Sequence, residues 1–298
     1  MGPRYWKGRS FPYLLLLPVL VVLSAVLLYP LLYCLYLSFH RWDLMKLWAK
    51  KSLVGLGNYS WMVHDARFLS SLKITAIYVT AEVAVSFVIG FAIALLFSRK
   101  IRGASVWKTL LLIPYLLPGV VCAITFKWLY NAEYGILNYL FMLLHLPPQN
   151  WLSNSSTALL GVVLCSSWWA IPFVFLILLA GLESLPREVF EAARIDGASS
   201  LSIFKHITLP LVAPVIEVVI AMRLIQAFQM VVNVFILTKG GPGGSTEILN
   251  FYLWKVGFKY FWMGKASAIG ITMMVAIVLI VMLSFKAIES GLKREGGP

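Results

Sequence analysis

A chain of 298 residues that is 60% hydrophobic and only 12% charged, with mean hydropathy +0.86, has too little polar surface to coat a water-soluble globule of its size; soluble domains carry about a quarter charged residues. The formal net charge of +13 would suit nucleic acid in a soluble protein, but no nucleic-acid motif accompanies it. The basic residues fall mostly between apolar runs, where they meet anionic headgroups and set topology, so the expected partner is the lipid bilayer and not nucleic acid.

In chain order, Arg4, Lys7 and Arg9 precede an apolar stretch from Phe11 to Phe39. It is too long for a cleavable signal core and lacks a small-residue cleavage site after it, so it is read as a retained first span. Six runs are long enough to cross about 30 Å of hydrocarbon at about 1.5 Å per residue. They lie at about 13–38, 72–97, 110–130, 158–182, 212–237 and 266–285. Each must be a helix, because strand-like alternation for a barrel is absent. The expected fold class is therefore an all-α polytopic membrane protein, a single transmembrane domain over residues 1–298.

Lys and Arg set its orientation. With the N-terminus inside, the segments 1–10, 98–108, 183–210 and 286–298 hold about 13 basic residues in about 62 positions. The outside segments hold about 9 in about 86. Arg99, Lys100, Arg102 and Lys108 give the bias its strongest point. Six spans then put both termini in the cytoplasm. Outside, Trp42 to Phe68 and Phe251 to Phe261 mix aromatics with charge, as interfacial helices or a surface for an external partner would.

Cys34, Cys122 and Cys165 lie inside apolar segments without metal or redox spacing, and read as small core residues. Pro114, Pro118 and Gly119 read as a kink or break at the start of the third span. Glu82 reads as a buried hydrogen-bonded or ion-paired contact, or as a pathway group. In the fifth span Arg223, Gln226, Gln229 and Asn233 recur at spacings that place them on one helical face. Their amides offer donors and acceptors together, and Phe228 and Phe235 could stack on sugar faces. Two readings stand: a substrate-pathway stripe, or hydrogen bonding that glues the bundle.

Between the fourth and fifth spans lies a cytoplasmic segment, 183–210, far longer than joining two helices requires. Pro186 suits a helix's first turn, and Glu188 and Glu191 favour its positive end. Ala192 and Ala193 are small enough for a close approach. Asp196-Gly197 stops the helix, residues 199–206 form a second short one, and Pro210 ends that before the next span.

That segment carries Glu191-Ala192-Ala193, then Gly197, then Ile207-Thr208-Leu209-Pro210. The pattern resembles the EAA loop of binding-protein-dependent ABC importer permeases. Further stretches resemble the carbohydrate-uptake (MalF/UgpA-like) branch: Gly55-Leu56-Gly57-Asn58-Tyr59, Pro114-Tyr115-Leu116-Leu117-Pro118, Trp128-Leu129-Tyr130-Asn131, Tyr134-Gly135-Ile136-Leu137-Asn138, and Leu237-Thr238-Lys239-Gly240-Gly241-Pro242 before Ser245-Thr246-Glu247. Lys239 departs from the pattern, where a Gly or small residue is expected. The size is that of the shorter six-span type, without the extra N-terminal spans and large external domain of the maltose permease.

The resemblance implies the type I importer permease fold in a prokaryotic inner (plasma) membrane. It implies an ATP-driven importer of a sugar or sugar-like solute. It also implies that Glu188, Glu191, Ala192, Ala193, Asp196, Gly197, Leu209 and Pro210 form a coupling helix docked on an ATPase, with Glu191 and Gly197 most sensitive to change. The implied partners are a second permease, two ATP-binding subunits and an extracytoplasmic solute-binding protein. ATP and Mg would be held by the ATPase, leaving this chain with no cofactor.

Other chemistry is not expected. The glycines at 240–244 lack the order of a phosphate loop, since Lys239 precedes them. His40, His64, His145 and His206 are scattered in loops, and no nucleophilic triad or metal motif is present. The rival reading, a secondary transporter or channel acting alone, would want intramembrane carboxylates, for which Glu82 and Glu217 are the candidates. A third is a membrane scaffold or receptor subunit without transport.

Overall fold

Lipid leaves a spanning backbone no hydrogen-bond partner but itself, and the computed structural model is helical accordingly. It describes residues 11–45, 50–99 and 102–295, so Arg4, Lys7, Arg9 and Lys100 of the topology argument lie outside the described residues. Helix α1 (Phe11–Leu23) passes through a π-helical turn, Ser24–Leu28, into α2 (Tyr29–Ser38). The short strands β1 (His40–Arg41) and β2 (Ser52–Leu53) pair antiparallel, His40 opposite Leu53. Then come α3 (Gly57–His64), α4 (Ala66–Phe97), α5 (Ala104–Leu116), α6 (Gly119–Leu129), α7 (Ile136–Leu143) and α8 (Ser155–Glu183). Next are α9 (Arg187–Ile195), α10 (Ser200–Ile203), a π-helical turn at Phe204–Thr208, α11 (Leu209–Gln229) and α12 (Val232–Leu237). Helix α13 (Leu249–Trp254), a third π-helical turn at Lys255–Lys259 and α14 (Met263–Glu295) complete the described chain.

Each expected span has helix beneath it, with the expected break in the third and one correction at Pro210. The third, placed at 110–130, is two helices: α5 and α6 meet at a 95° bend. Pro118 forces Leu117 into an extended conformation (φ −74°, ψ 137°) and withholds its own N–H. The freed Leu117 carbonyl accepts the Trp169 indole N–H at 3.1 Å, so the break leaves that group satisfied. The correction concerns Pro210, which ends no helix. It sits in the first turn of α11, just after the π-helical turn, where the Leu209 N–H reaches back five residues to Phe204 O. A proline ring clashes with the carbonyl four residues earlier, and a widened turn ahead of it absorbs the misfit. Pro30 follows the turn at Ser24–Leu28 in the same way.

The chain divides into two compact units. One takes in the chain up to Asp65 with Leu253–Met274. Its first span is apolar and exposed over most of its length, with Leu37 and Ser38 buried at its end, a surface suited to lipid or another subunit. The buried Asn58 amide donates to Ser38 O and His40 O at 2.8 and 3.0 Å, and the Tyr59 hydroxyl to Ser38 Oγ at 2.8 Å. A Cβ on Gly264 would lie 1.9 Å from His40 O, so only glycine permits that approach. Asp43 bridges Trp262, and the Leu44 N–H donates to Phe261 O at 3.0 Å. The end of the first span and the start of the last are therefore neighbours. Among the described residues five helices are long and apolar enough to cross a membrane, and the bent α5–α6 pair makes a sixth if it is one span.

The other unit, Ala66–Tyr252 with the chain from Val275, is built on α4 packed lengthwise against α8. Ala94, Val174, Phe175, Leu178, Leu179 and Val219 make its core. Gly90 lets Val174 in so closely that a Cβ there would stand 2.7 Å from it.

Candidate functional site

Two polar regions of this second unit bear on function. The first is the segment leaving α8. Lys108 of α5 bonds Glu183 at 2.8 Å where α8 ends. Pro186 is the N-cap of α9 and not a residue of its first turn; Glu188 stands in that turn, against the positive end of the helix, and Arg194 in the last. The helix stops by a Schellman closure: Gly197 takes φ +78°, its N–H donates to Arg194 O at 3.1 Å, and the Ala198 N–H to Ala193 O at 2.9 Å. Space around Gly197 is open, so its left-handed backbone alone selects glycine. The Ser199 hydroxyl then caps α10 by accepting the Ser202 N–H at 3.2 Å. Leu209 and Pro210 begin α11.

Nothing on α9 is buried. Glu188, Glu191, Ala192, Asp196 and Gly197 are exposed, and Ala193 is half-buried. Ile195 is 86% exposed and Leu201 75%. Among the described residues Glu188 and Glu191 make no ion pair. Closed at Gly197 and restarted by the Ser199 cap, the projection presents charge and apolar surface together.

The second region is a seam inside the spans. Arg223 of α11, 1% exposed, pairs with Glu82 of α4 and also donates to the Gln226 amide oxygen. The Ser166 hydroxyl of α8 joins the Tyr78 hydroxyl at 2.9 Å and the Asn233 amide N–H at 2.7 Å, linking α4, α8 and α12. The Leu249 N–H donates to Thr75 Oγ1 at 2.7 Å. Glu82 Oε2, Arg223 Nε and Asn233 Oδ1 have no hydrogen-bond partner among the described residues.

The four-residue stripe is therefore not one continuous surface. Met230 is extended (φ −70°, ψ 109°) and breaks the fifth span after Gln229, placing Asn233 on a separate helix. Arg223 and Asn233 turn into the protein, Phe228 is buried, Gln226 is half-buried, and Gln229 and Phe235 are exposed beside the break. The Asn250 amide N–H donates to Gln229 O at 2.7 Å, holding the broken end.

Sequence reasoning missed Tyr78, Ser166, Asn250 and Thr75. Small polar residues in apolar runs were the only signal they gave. It also missed that Cys122 and Cys165 stand with their sulfurs 3.8 Å apart, which a separation of 43 residues conceals. Lys239, the departure from the family pattern, adopts φ 52°, the left-handed backbone that glycine takes most readily.

Five or six apolar spanning helices, one pair of them bent, with a helix–turn–helix before α11, define a multi-pass membrane protein. A family model described as the binding-protein-dependent transport system inner membrane component matches residues 86–294, and the chain belongs to that family. It is 33% identical over 283 residues to the trehalose/maltose transport system permease protein MalF of Thermococcus litoralis, covering 94% of this chain and 92% of the relative. It is 31% identical over 295 residues to the arabinooligosaccharides transport system permease protein AraP of Bacillus subtilis, covering 98% and 92%. Among solved structures, a bacterial ABC transporter that imports the acidic polysaccharide alginate superposes with TM-score 0.79 at 19% identity, covering 97% of this chain and 99% of that one, which establishes the shared fold. The chain is thus a permease subunit, a transport component rather than an enzyme.

Proposed function

We propose that this chain forms, with a second permease, the translocation path of an ATP-driven importer for sugars or oligosaccharides. The solute class rests on the relatives, whose names specify trehalose, maltose and arabinooligosaccharides. An extracytoplasmic binding protein delivers the solute, and two copies of a separate ATPase, holding the ATP and Mg, drive it. This chain itself takes no cofactor. Both termini are cytoplasmic; the adjacency of the first span's end and the last span's start supports their lying on one side, and the Lys and Arg bias makes that side the cytoplasm.

The observation that carries the coupling reading is α9 itself, a helix with no buried residue, closed rigidly at Gly197. It is the ATPase-docking element. Glu188, Glu191 and Ala192 are contact residues, Ala193, Asp196 and Gly197 set its end, and Leu209 and Pro210 join it to α11. Motion of the docked element passes up α11 as a rigid body. In the path, Gln226 and Gln229 face the solute at the break in the fifth span, Phe235 offers a ring, and Phe228 packs behind it. Arg223 and Asn233 position that helix from within.

A transporter acting alone is disfavoured because the matching family is a component of binding-protein-dependent transport systems, and Arg223 already pairs with Glu82, one of the two candidate coupling carboxylates. Affinity-tagged chain purified in mild detergent should bring down an ATP-binding subunit and a second permease. Recovery of this chain alone, with solute uptake intact, would contradict the proposal.

A further inference from the structure

The first unit contains a pocket of about 400 Å³ that neither coupling nor solute passage uses. Arg41, Lys50 and Lys265 line it together with Trp42, Trp262 and the carboxylate of Asp43, and a second carboxylate, Asp65, acts on Lys265 from outside the lining. The Asp43 carboxylate is turned to its own backbone, Oδ1 accepting the Met45 N–H at 3.0 Å. The Asn58 amide at the wall is spent on Ser38 O and His40 O. Among the described residues Arg41, Lys50 and Lys265 make no ion pair. Lys265 is held instead between two ring faces, 4.0 Å from Trp61 and 4.2 Å from Trp262, which fix the ammonium without cancelling its charge. Three cations against two acids, one of them turned to its own backbone, leave the site net positive and open to an anion.

Its depth says which anion. Arg41 follows the end of the first span at Ser38, and Trp262 immediately precedes the last span at Met263. Both are at the level of the headgroups, where Trp residues collect and Arg and Lys meet phosphate. Next to it, Lys51 lies 4.3 Å over the Trp42 ring, adding charge on the same rim. A guanidinium with two ammonium groups suits the oxygens of a phosphodiester.

We propose that this pocket binds the phosphate of an anionic phospholipid headgroup, seated between the first and last spans and braced by the tryptophans. The test uses the full chain in its purified transporter. The complex is delipidated in mild detergent, titrated with phosphatidylglycerol or phosphatidylcholine, and read by native mass spectrometry. Phosphatidylglycerol should bind preferentially, and Lys265→Met, which keeps the hydrocarbon between the two rings, should weaken it by about fivefold or more. Lys265→Arg should restore it, and Lys259→Gln, outside the pocket, should change nothing. Equal retention of both lipids, or unchanged retention in Lys265→Met, overturns the proposal. So does displacement by millimolar inorganic phosphate, which would make the ligand a free anion. Loss of binding-protein docking with lipid retention intact would assign the pocket to an acidic side chain of that protein, and also overturns it. If Lys265→Met is not recovered folded, Arg41→Gln carries the same comparison.

Discussion

The loop at 183–210 and the seam around Glu82 and Arg223 use the same residue types to opposite ends. Glu188, Glu191 and Arg194 stand exposed on a helix that buries nothing. Glu82 and Arg223 are withdrawn from water and from lipid, each matched to the other. An exposed charge with no partner costs little and is available to another protein. A buried charge is tolerable only when paired, and its removal falls on the partner left behind. The loop should thus fail in coupling without failing in folding, and the seam should fail the other way round.

The largest effect is expected in the seam. Glu82→Leu strands Arg223 and should destabilise the chain by about 3–5 kcal/mol, read as thermal unfolding in detergent. Adding Arg223→Met should recover most of it. A single variant as stable as the parent, or a double variant no better than the single, would break the contrast. Next comes Gly197→Pro, whose fixed φ near −65° cannot replace +78°. It should abolish solute uptake while the amount of inserted chain stays normal, measured by transport and immunoblot of the same membranes. Gly197→Ala adds only the left-handed penalty of about 1–2 kcal/mol and should give partial uptake.

How much of this was legible in the sequence divides along the same line. The loop is local: a proline, two small residues and a glycine lie within a dozen positions, and the Schellman closure follows from their order. The seam is not, because 141 residues separate Glu82 from Arg223 and no periodicity connects them. Prolines were half-readable. Pro118 broke its span as residue type suggests, but Pro210 did not, because the π-helical turn ahead of it took up the clash. The break after Gln229 carried no glycine or proline to announce it, so the stripe looked continuous.

Two smaller effects sharpen the comparison. Gln229→Ala, exposed at the break, should raise the apparent KM for solute by about two- to tenfold, the worth of a neutral hydrogen bond or two, without lowering stability. A stability loss like that of Glu82→Leu would place Gln229 in the seam instead. Lys108→Ala removes an ion pair whose side chains are 32% and 51% exposed, and should cost no more than about 0.5 kcal/mol. A larger loss by thermal unfolding would make that pair an anchor for the loop.

The most direct test of the loop's role is cysteine cross-linking from α9. Ala192→Cys and Ile195→Cys, in a chain with Cys34, Cys122 and Cys165 replaced by Ser or Ala, would be probed in membranes with a short thiol-to-amine reagent. Cross-links to the ATP-binding subunit whose yield changes on adding ATP and Mg are the expected result. An absence of cross-links to that subunit in an actively transporting complex would contradict the assignment of α9 as the element that receives its work.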